Sequence, residues 1–296
     1  MKHFSHTLKT LGLALAVFLG TSPLGLSWAA EPAKNIQELH LRYEAYWSGF
    51  HIADFTLSML NGGGTYKNNF ILESRGLVGF FTDLDATAQS HGQIVHSQAS
   101  PSAEYKPQHY HTKYTSKKHL RWVDISFEND TAPAIAKTGT SPIPGWEERW
   151  NPKDKGPEIL EKVEPKHRVD VNDPLTLIPQ LMATIRSHFE GGPKEAVLKG
   201  FDGRRRFDAK ITYLGPATRN VRDTIYETYR VRIKPIPVAG FKKRHQKIWN
   251  KAAYDFYLSR DGNFIPVQIA PVGSGPTMNL LRICDEPCSL EDEGES

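Results

Sequence analysis

From Leu39 onward the chain alternates apolar and polar side chains with the two-residue period of a half-buried strand. Leu39, Leu41, Tyr43, Ala45 and Trp47 point one way, and His40, Arg42 and Glu44 the other. Ser48-Gly49 supplies a turn, after which Ala53, Phe55, Leu57 and Met59 alternate with Asp54, Thr56 and Ser58. Asn61-Gly62-Gly63-Gly64 ends that strand, and Tyr66, Phe70 and Leu72 open a third. Consecutive strands joined by short turns pair antiparallel, so the opening predicts a meander with an aromatic inner face. Further strands are predicted over 86–95, 103–113, 120–128, 195–201, 205–214, 224–234, 252–259, 264–269 and 277–283, with Asp202-Gly203 as a two-residue hairpin turn.

One segment has the helical period instead. Ile178, Leu181, Met182, Ile185 and Phe189 share a face, Asp173 is placed to cap, Pro174 suits the first helical position, and Gly191-Gly192-Pro193 ends the run. Pro179 is expected to kink its first turns. The apolar stripe must be buried, most simply against the concave or open side of the sheet. Residues 129–157, rich in proline, read as a loop insertion that is either a docked lid, held by Trp146 and Trp150, or a mobile loop. The prediction is a single mainly β (α+β) domain over 30–289, followed by an acidic tail at 290–296.

The first residues carry a different pattern. Lys2 and Lys9 precede an apolar run from Leu11 to Leu26, and Ser27-Trp28-Ala29 places small residues where a signal peptidase cleaves. Gly20, Thr21, Ser22, Pro23 and Gly25 break the run, which is too short for a span of about 20 apolar residues. A cleaved signal peptide over 1–29 and a periplasmic location are therefore expected, with no transmembrane segment after cleavage. The net charge of +4 becomes +2 on losing Lys2 and Lys9, because 35 basic residues then face 33 acidic ones. That balance gives no field for nucleic acid. The two cysteines, Cys284 and Cys288, are expected to form a disulfide in an oxidising compartment.

Several groups carry candidate chemistry. His109 and His111 project to one face of a strand, as two imidazoles sharing a metal would, with Glu104, His119 or Asp124 as possible third ligand; His51, His91 and His96 are weaker candidates. Arg204-Arg205-Arg206 and the group Lys242-Lys243-Arg244 with Lys247 and Lys251 suit lipid or lipopolysaccharide head groups, against the ordinary reading of solvated charge. The carboxylate pairs Asp83/Asp85 and Glu147/Glu148 suggest acid–base work only by adjacency. No nucleophile elbow, metalloprotease motif, phosphate loop or dinucleotide fingerprint is present, and no cofactor or resident metal is implied.

The stretch Tyr43-Glu44-Ala45-Tyr46-Trp47-Ser48-Gly49-Phe50, the segment Arg75-Gly76-Leu77-Val78-Gly79, the Pro107 strand, the Asp173-Pro174 helix and the closing run from Ser259 to Val267 together resemble the exported bacterial family called domain of unknown function 3108. The resemblance implies an architecture similar to the periplasmic lipoprotein carriers LolA and LolB: a curled antiparallel sheet, or incomplete β-barrel, plugged by helices. It carries no activity. The expectation is a non-enzymatic periplasmic envelope protein that binds a lipid, lipoprotein acyl chain or lipopolysaccharide, with peripheral membrane contact. Its expected ligand-binding residues are Tyr43, Trp47, Phe55, Phe70, Arg204 and Arg206, with Phe80 and Phe81 extending the aromatic face. An envelope scaffold with a filled core is the alternative, and a metal-assisted hydrolase using His109 and His111 the third reading.

Overall fold

The structure is a computed structural model, and it describes residues 38–76, 84–96, 103–116, 119–142, 158–159 and 162–291. The expected signal peptide, Leu77 to Gly79, Phe80, Phe81, Asp83, Trp146, Glu147, Glu148, Trp150 and the end of the tail lie outside the described residues.

Among the described residues, fourteen strands form one antiparallel sheet that does not close on itself. They are β1 (Glu38–Trp47), β2 (Phe50–Gly62), β3 (Thr65–Ser74), β4 (Asp85–His96), β5 (Ala103–Ser116), β6 (His119–Ser126), β7 (Ile135–Pro142), β8 (Glu158–Ile159), β9 (Glu195–Phe201), β10 (Arg206–Val221), β11 (Thr224–Ala239), β12 (Tyr254–Ser259), β13 (Pro266–Pro271) and β14 (Thr277–Cys284). β1 to β8 run as a meander. Helix α1 (Leu177–Phe189) then crosses over, and the strands from β9 to β14 return until β14 pairs with β1, leaving β8 and β9 as the edges.

The segment before α1 spans the seam between those edges. Ala134, just ahead of β7, exchanges hydrogen bonds with Arg168: its N–H donates to the Arg168 carbonyl at 2.9 Å, and the Arg168 guanidinium donates back at 3.0 Å. Asn172 then meets β9, donating to the Lys199 carbonyl and accepting from the Phe201 N–H, both at 2.8 Å. Gly203, in the β9–β10 turn, reaches β6: a β-carbon there would lie 2.5 Å from Val123 Cγ1, and its φ of +85° is left-handed, so two constraints select glycine.

Three expectations are corrected. Residues 135–142, expected within the proline-rich loop, form β7: Ala134, Ala136 and Thr138 are buried, but such small residues leave little hydrophobic signal. The Asp202-Gly203 hairpin is a four-residue loop, because β9 and β10 pair Phe201 with Arg206; Asp202 Oδ1 accepts from the Arg204 and Arg205 N–H groups at 2.9 and 2.7 Å. Trp47 leaves the inner face. A register shift between Ala45 and Tyr46 breaks the alternation, and Trp47 is 51% exposed.

Helix α1 starts at Leu177, three residues after the first helical position expected at Pro174, with Thr176 and not Asp173 at the N-cap, so Pro179 falls in the first turn, where its missing N–H costs nothing. Leu181, Ala183 and Ile185 are buried, whereas Phe189 is 43% exposed at the end of the helix, against Tyr229 and Phe264. Cys284 and Cys288 are disulfide-bonded, Cα atoms 5.7 Å apart. The chain then turns back, and the Leu290 carbonyl accepts from Arg75 at 2.9 Å and Arg42 at 3.4 Å. Leu290 is therefore buried, not part of a free tail. Beneath it Asp54 is buried, accepting from Arg75 Nε at 2.9 Å and paired with His51 at 2.7 Å.

Candidate ligand groove

The aromatic residues expected to contact ligand are packed against one another. Tyr43 stacks on Phe55 with ring centroids 4.8 Å apart, and Phe55 meets Phe70 at 5.6 Å. The Tyr43 hydroxyl donates to the Pro266 carbonyl at 2.8 Å, and burial raises its pKa. This face belongs to a core cluster with Leu39, Leu57 and Leu280, in which Tyr43 and Phe55 are buried. Arg206 is buried and ion-paired with Asp208 at 2.7 Å, and Arg204 donates to the Thr138 hydroxyl at 2.9 Å. The six expected ligand residues therefore do not converge.

An apolar groove of about 520 Å³ opens on the other half of the molecule. Strand alternation builds it: Phe207, Ala209 and Ile211 on β10 face inward while Asp208 and Lys210 face out, and β11 adds Ile233 and Pro235. Tyr254 and Phe256 of β12, Ile269 of β13 and Met278 of β14 continue the floor. Leu177, Ile178 and Leu181 of α1 line it, and so do Ile248 and Trp249 of a helix the pattern did not predict, α2 (Lys243–Lys251). Trp249 is fixed in place, with Phe241 and Phe207 at 5.0 and 5.3 Å and the Arg205 guanidinium 5.1 Å above its ring. None of the lining residues is charged, and the volume falls within the range of small-molecule sites.

Buried polar groups set the entry of α1. Asp173, fully buried, accepts from the N–H groups of Leu175 and Thr176 at 2.9 Å and from the hydroxyls of Ser90 at 2.8 Å and Thr176 at 2.5 Å. Tyr66 extends the network to Thr176 at 2.7 Å. Burial pushes the Asp173 carboxyl pKa up despite these four donors, and it pushes the Tyr66 phenol up as well. On the outer face of β11 and β12 the balance is opposite. Burial alone would raise Asp255, but Arg232 and Arg230, bonding at 2.8 and 2.6 Å, outweigh it and hold the carboxyl below its ordinary range.

The histidines expected to bind metal do meet Asp124, but in a hydrogen-bonded arrangement. His109 Nε2 lies 2.9 Å and His111 Nδ1 3.2 Å from the same oxygen, Oδ2. Both rings are thus directed at one carboxylate oxygen, not at a common open point, and no metal-binding group of three His, Cys, Asp or Glu occurs among the described residues. Glu104 pairs with Lys106 instead, and the His119 side chain lies outside the described residues.

These features define a barrel-like antiparallel protein with a filled core in one half and an open apolar groove in the other. The chain belongs to the family DUF3108, described as a protein of unknown function, whose profile matches residues 42–280. Among solved structures, it is similar to a crystal structure of a beta-barrel-like protein of domain of unknown function DUF1849 from Brucella abortus. The two share 12% sequence identity with a TM-score of 0.46, over 83% of this chain and 95% of that one. No curated protein matches the sequence. Among the described residues no helix is long and apolar enough to cross a membrane.

Proposed function

We propose that the protein is exported to the periplasm and binds the apolar chain of a lipid or other amphipathic envelope molecule in the groove between α1, α2 and β10 to β14. The observation that carries this reading is an open space of about 520 Å³ with no charged residue in its lining, bordered by residues of two helices and of strands β10 to β14. Water in such a groove has few hydrogen-bond partners, so an acyl chain displaces it favourably, each buried methylene contributing about 0.8 kcal/mol. The groove supplies no nucleophile or acid–base pair, so the reading is of binding without chemistry. The signal-like start of the chain supports export, with a mature N-terminus near Ala30 to be read by N-terminal sequencing.

The test is titration of delipidated protein with a fluorescent fatty acid. Ala209→Phe, which fills the floor, should abolish or strongly weaken uptake, and Trp249→Ala should weaken it by loosening a wall. Trp47→Ala, at an exposed site away from the groove, should leave it unchanged. Absence of saturable binding at micromolar protein, or equal binding by Ala209→Phe, would reject the groove reading and leave the scaffold reading ahead.

A further inference from the structure

We infer that α2 is an interfacial helix that seats the groove on an anionic lipid bilayer; the inference rests on the acyl-binding reading and names the surface from which the ligand comes. Lys243, Lys247 and Lys251 recur every four residues and so form a single stripe, and all three are exposed, as is Lys242 at the N-cap. None of the four has a carboxylate within ion-pair distance among the described residues. Ile248, 61% exposed, lies beside the stripe and lines the groove.

The helix opposes itself electrostatically. Like charges at four-residue spacing repel, Lys243 stands at the positive end of the helix dipole, no acidic residue occupies the first turn, and Lys242 provides no side-chain cap. Sequences keep such local conflicts where something outside the chain relieves them. An anionic surface does so, since it neutralises the stripe and offers the exposed Ile248 an apolar layer beneath the head groups. A nucleic acid or acidic polysaccharide would satisfy the lysines and leave Ile248 and the groove without a partner. Trp249, clamped between Phe207, Phe241 and Arg205, fixes α2 to the rim, so a helix lying on the membrane brings the groove mouth to the acyl layer.

The experiment is flotation of the full mature protein with vesicles of equimolar phosphatidylcholine and phosphatidylglycerol, and with phosphatidylcholine alone, at low and at physiological salt. The wild type should float with the anionic vesicles only, less so as salt rises. Each lysine near such a surface contributes about a fivefold gain, so the triple variant Lys243→Gln/Lys247→Gln/Lys251→Gln should partition roughly a hundredfold more weakly. The same variant should melt no lower than the wild type, since it relieves the repulsion within α2, and take up monomeric fluorescent fatty acid unchanged, since none of the three lysines lines the groove. Equal flotation with both vesicle types, undiminished flotation of the triple variant, or binding to heparin or duplex DNA without vesicle binding would overturn the inference. Lysine-dependent flotation without fatty-acid uptake would reject the groove and keep the docking helix; uptake without flotation would do the reverse.

Discussion

Replacing Asp173 by alanine removes the acceptor that starts α1. Two backbone N–H groups, of Leu175 and Thr176, lose their partner at 2.9 Å inside a fully buried site, while the Ser90 and Thr176 hydroxyls can rotate toward each other and Tyr66. At about 1–3 kcal/mol for each stranded donor, the expected loss is about 2–6 kcal/mol, reduced by whatever the burial of the carboxyl itself costs. For a chain of this size that lowers the melting temperature by roughly 5–20 °C. Asp173→Asn keeps the Oδ1 acceptor and should lose less. Its pH behaviour is the sharper measurement. Because burial raises the folded pKa of Asp173, the native state holds a proton that the unfolded chain has released once pH passes about 3.9, and this group's contribution to stability falls as pH rises from there through the folded value. The asparagine variant lacks that falling contribution. Urea unfolding of wild type and variant across the acidic to neutral range should therefore give a stability difference that shifts in favour of asparagine as pH rises. A pH-independent difference, or an alanine variant that melts like the wild type, would refute the account of Asp173 as a buried acceptor, under desolvation strain, that holds the turn leading into α1.

Leu181→Asp would put an unpaired charge into the contact between α1 and the sheet and should cost upwards of about 3 kcal/mol, read by thermal melting. Gly203→Ala should destabilise by about 1–3 kcal/mol, because it combines a left-handed backbone with a contact on Val123 that has no room; an unchanged urea midpoint would show that the β9–β10 turn does not pack on β6. Thiol labelling of denatured, unreduced protein should find no free cysteine, and reduction should cost less than the roughly 3 kcal/mol typical of a 15-residue loop, since this loop is much shorter.

The strand pattern was readable wherever large apolar residues alternate with polar ones, as in β1 and β2. It failed where inward positions are small, as in β7, and where a bulge switches the face, as at Trp47. The groove was legible only in part. Phe207, Ala209 and Ile211 alternate visibly, and Leu181 stands on a helical stripe, but the space between them comes from how β9 to β14 curl past α1, a three-dimensional fact with no local signature. Helix α2 was hidden because its lysines register as charge before they register as a four-residue repeat. Tyr43, Phe55 and Phe70 drew attention for their size, and size is also what fills a core. The basic run at Arg204 to Arg206 looked free in one dimension, while Asp202, Asp208 and Thr138 take up its charge and hydrogen bonds in three.

The segment that spans the seam touches β7 through Arg168 and β9 through Asn172, and it runs directly into α1. A barrel laced all round by strand ladders has a girth fixed by strand number and stagger. Here the seam is closed by a strap of chain held by a few hydrogen bonds at each side, together with the β9–β10 turn resting on β6 and β7, and the same strap carries a wall of the groove. A bulky occupant that pushes α1 outward therefore strains the buckle first, the isolated Asn172–Gly200 bridge and the side-chain contacts across the seam, before it strains any of the ladders between neighbouring strands.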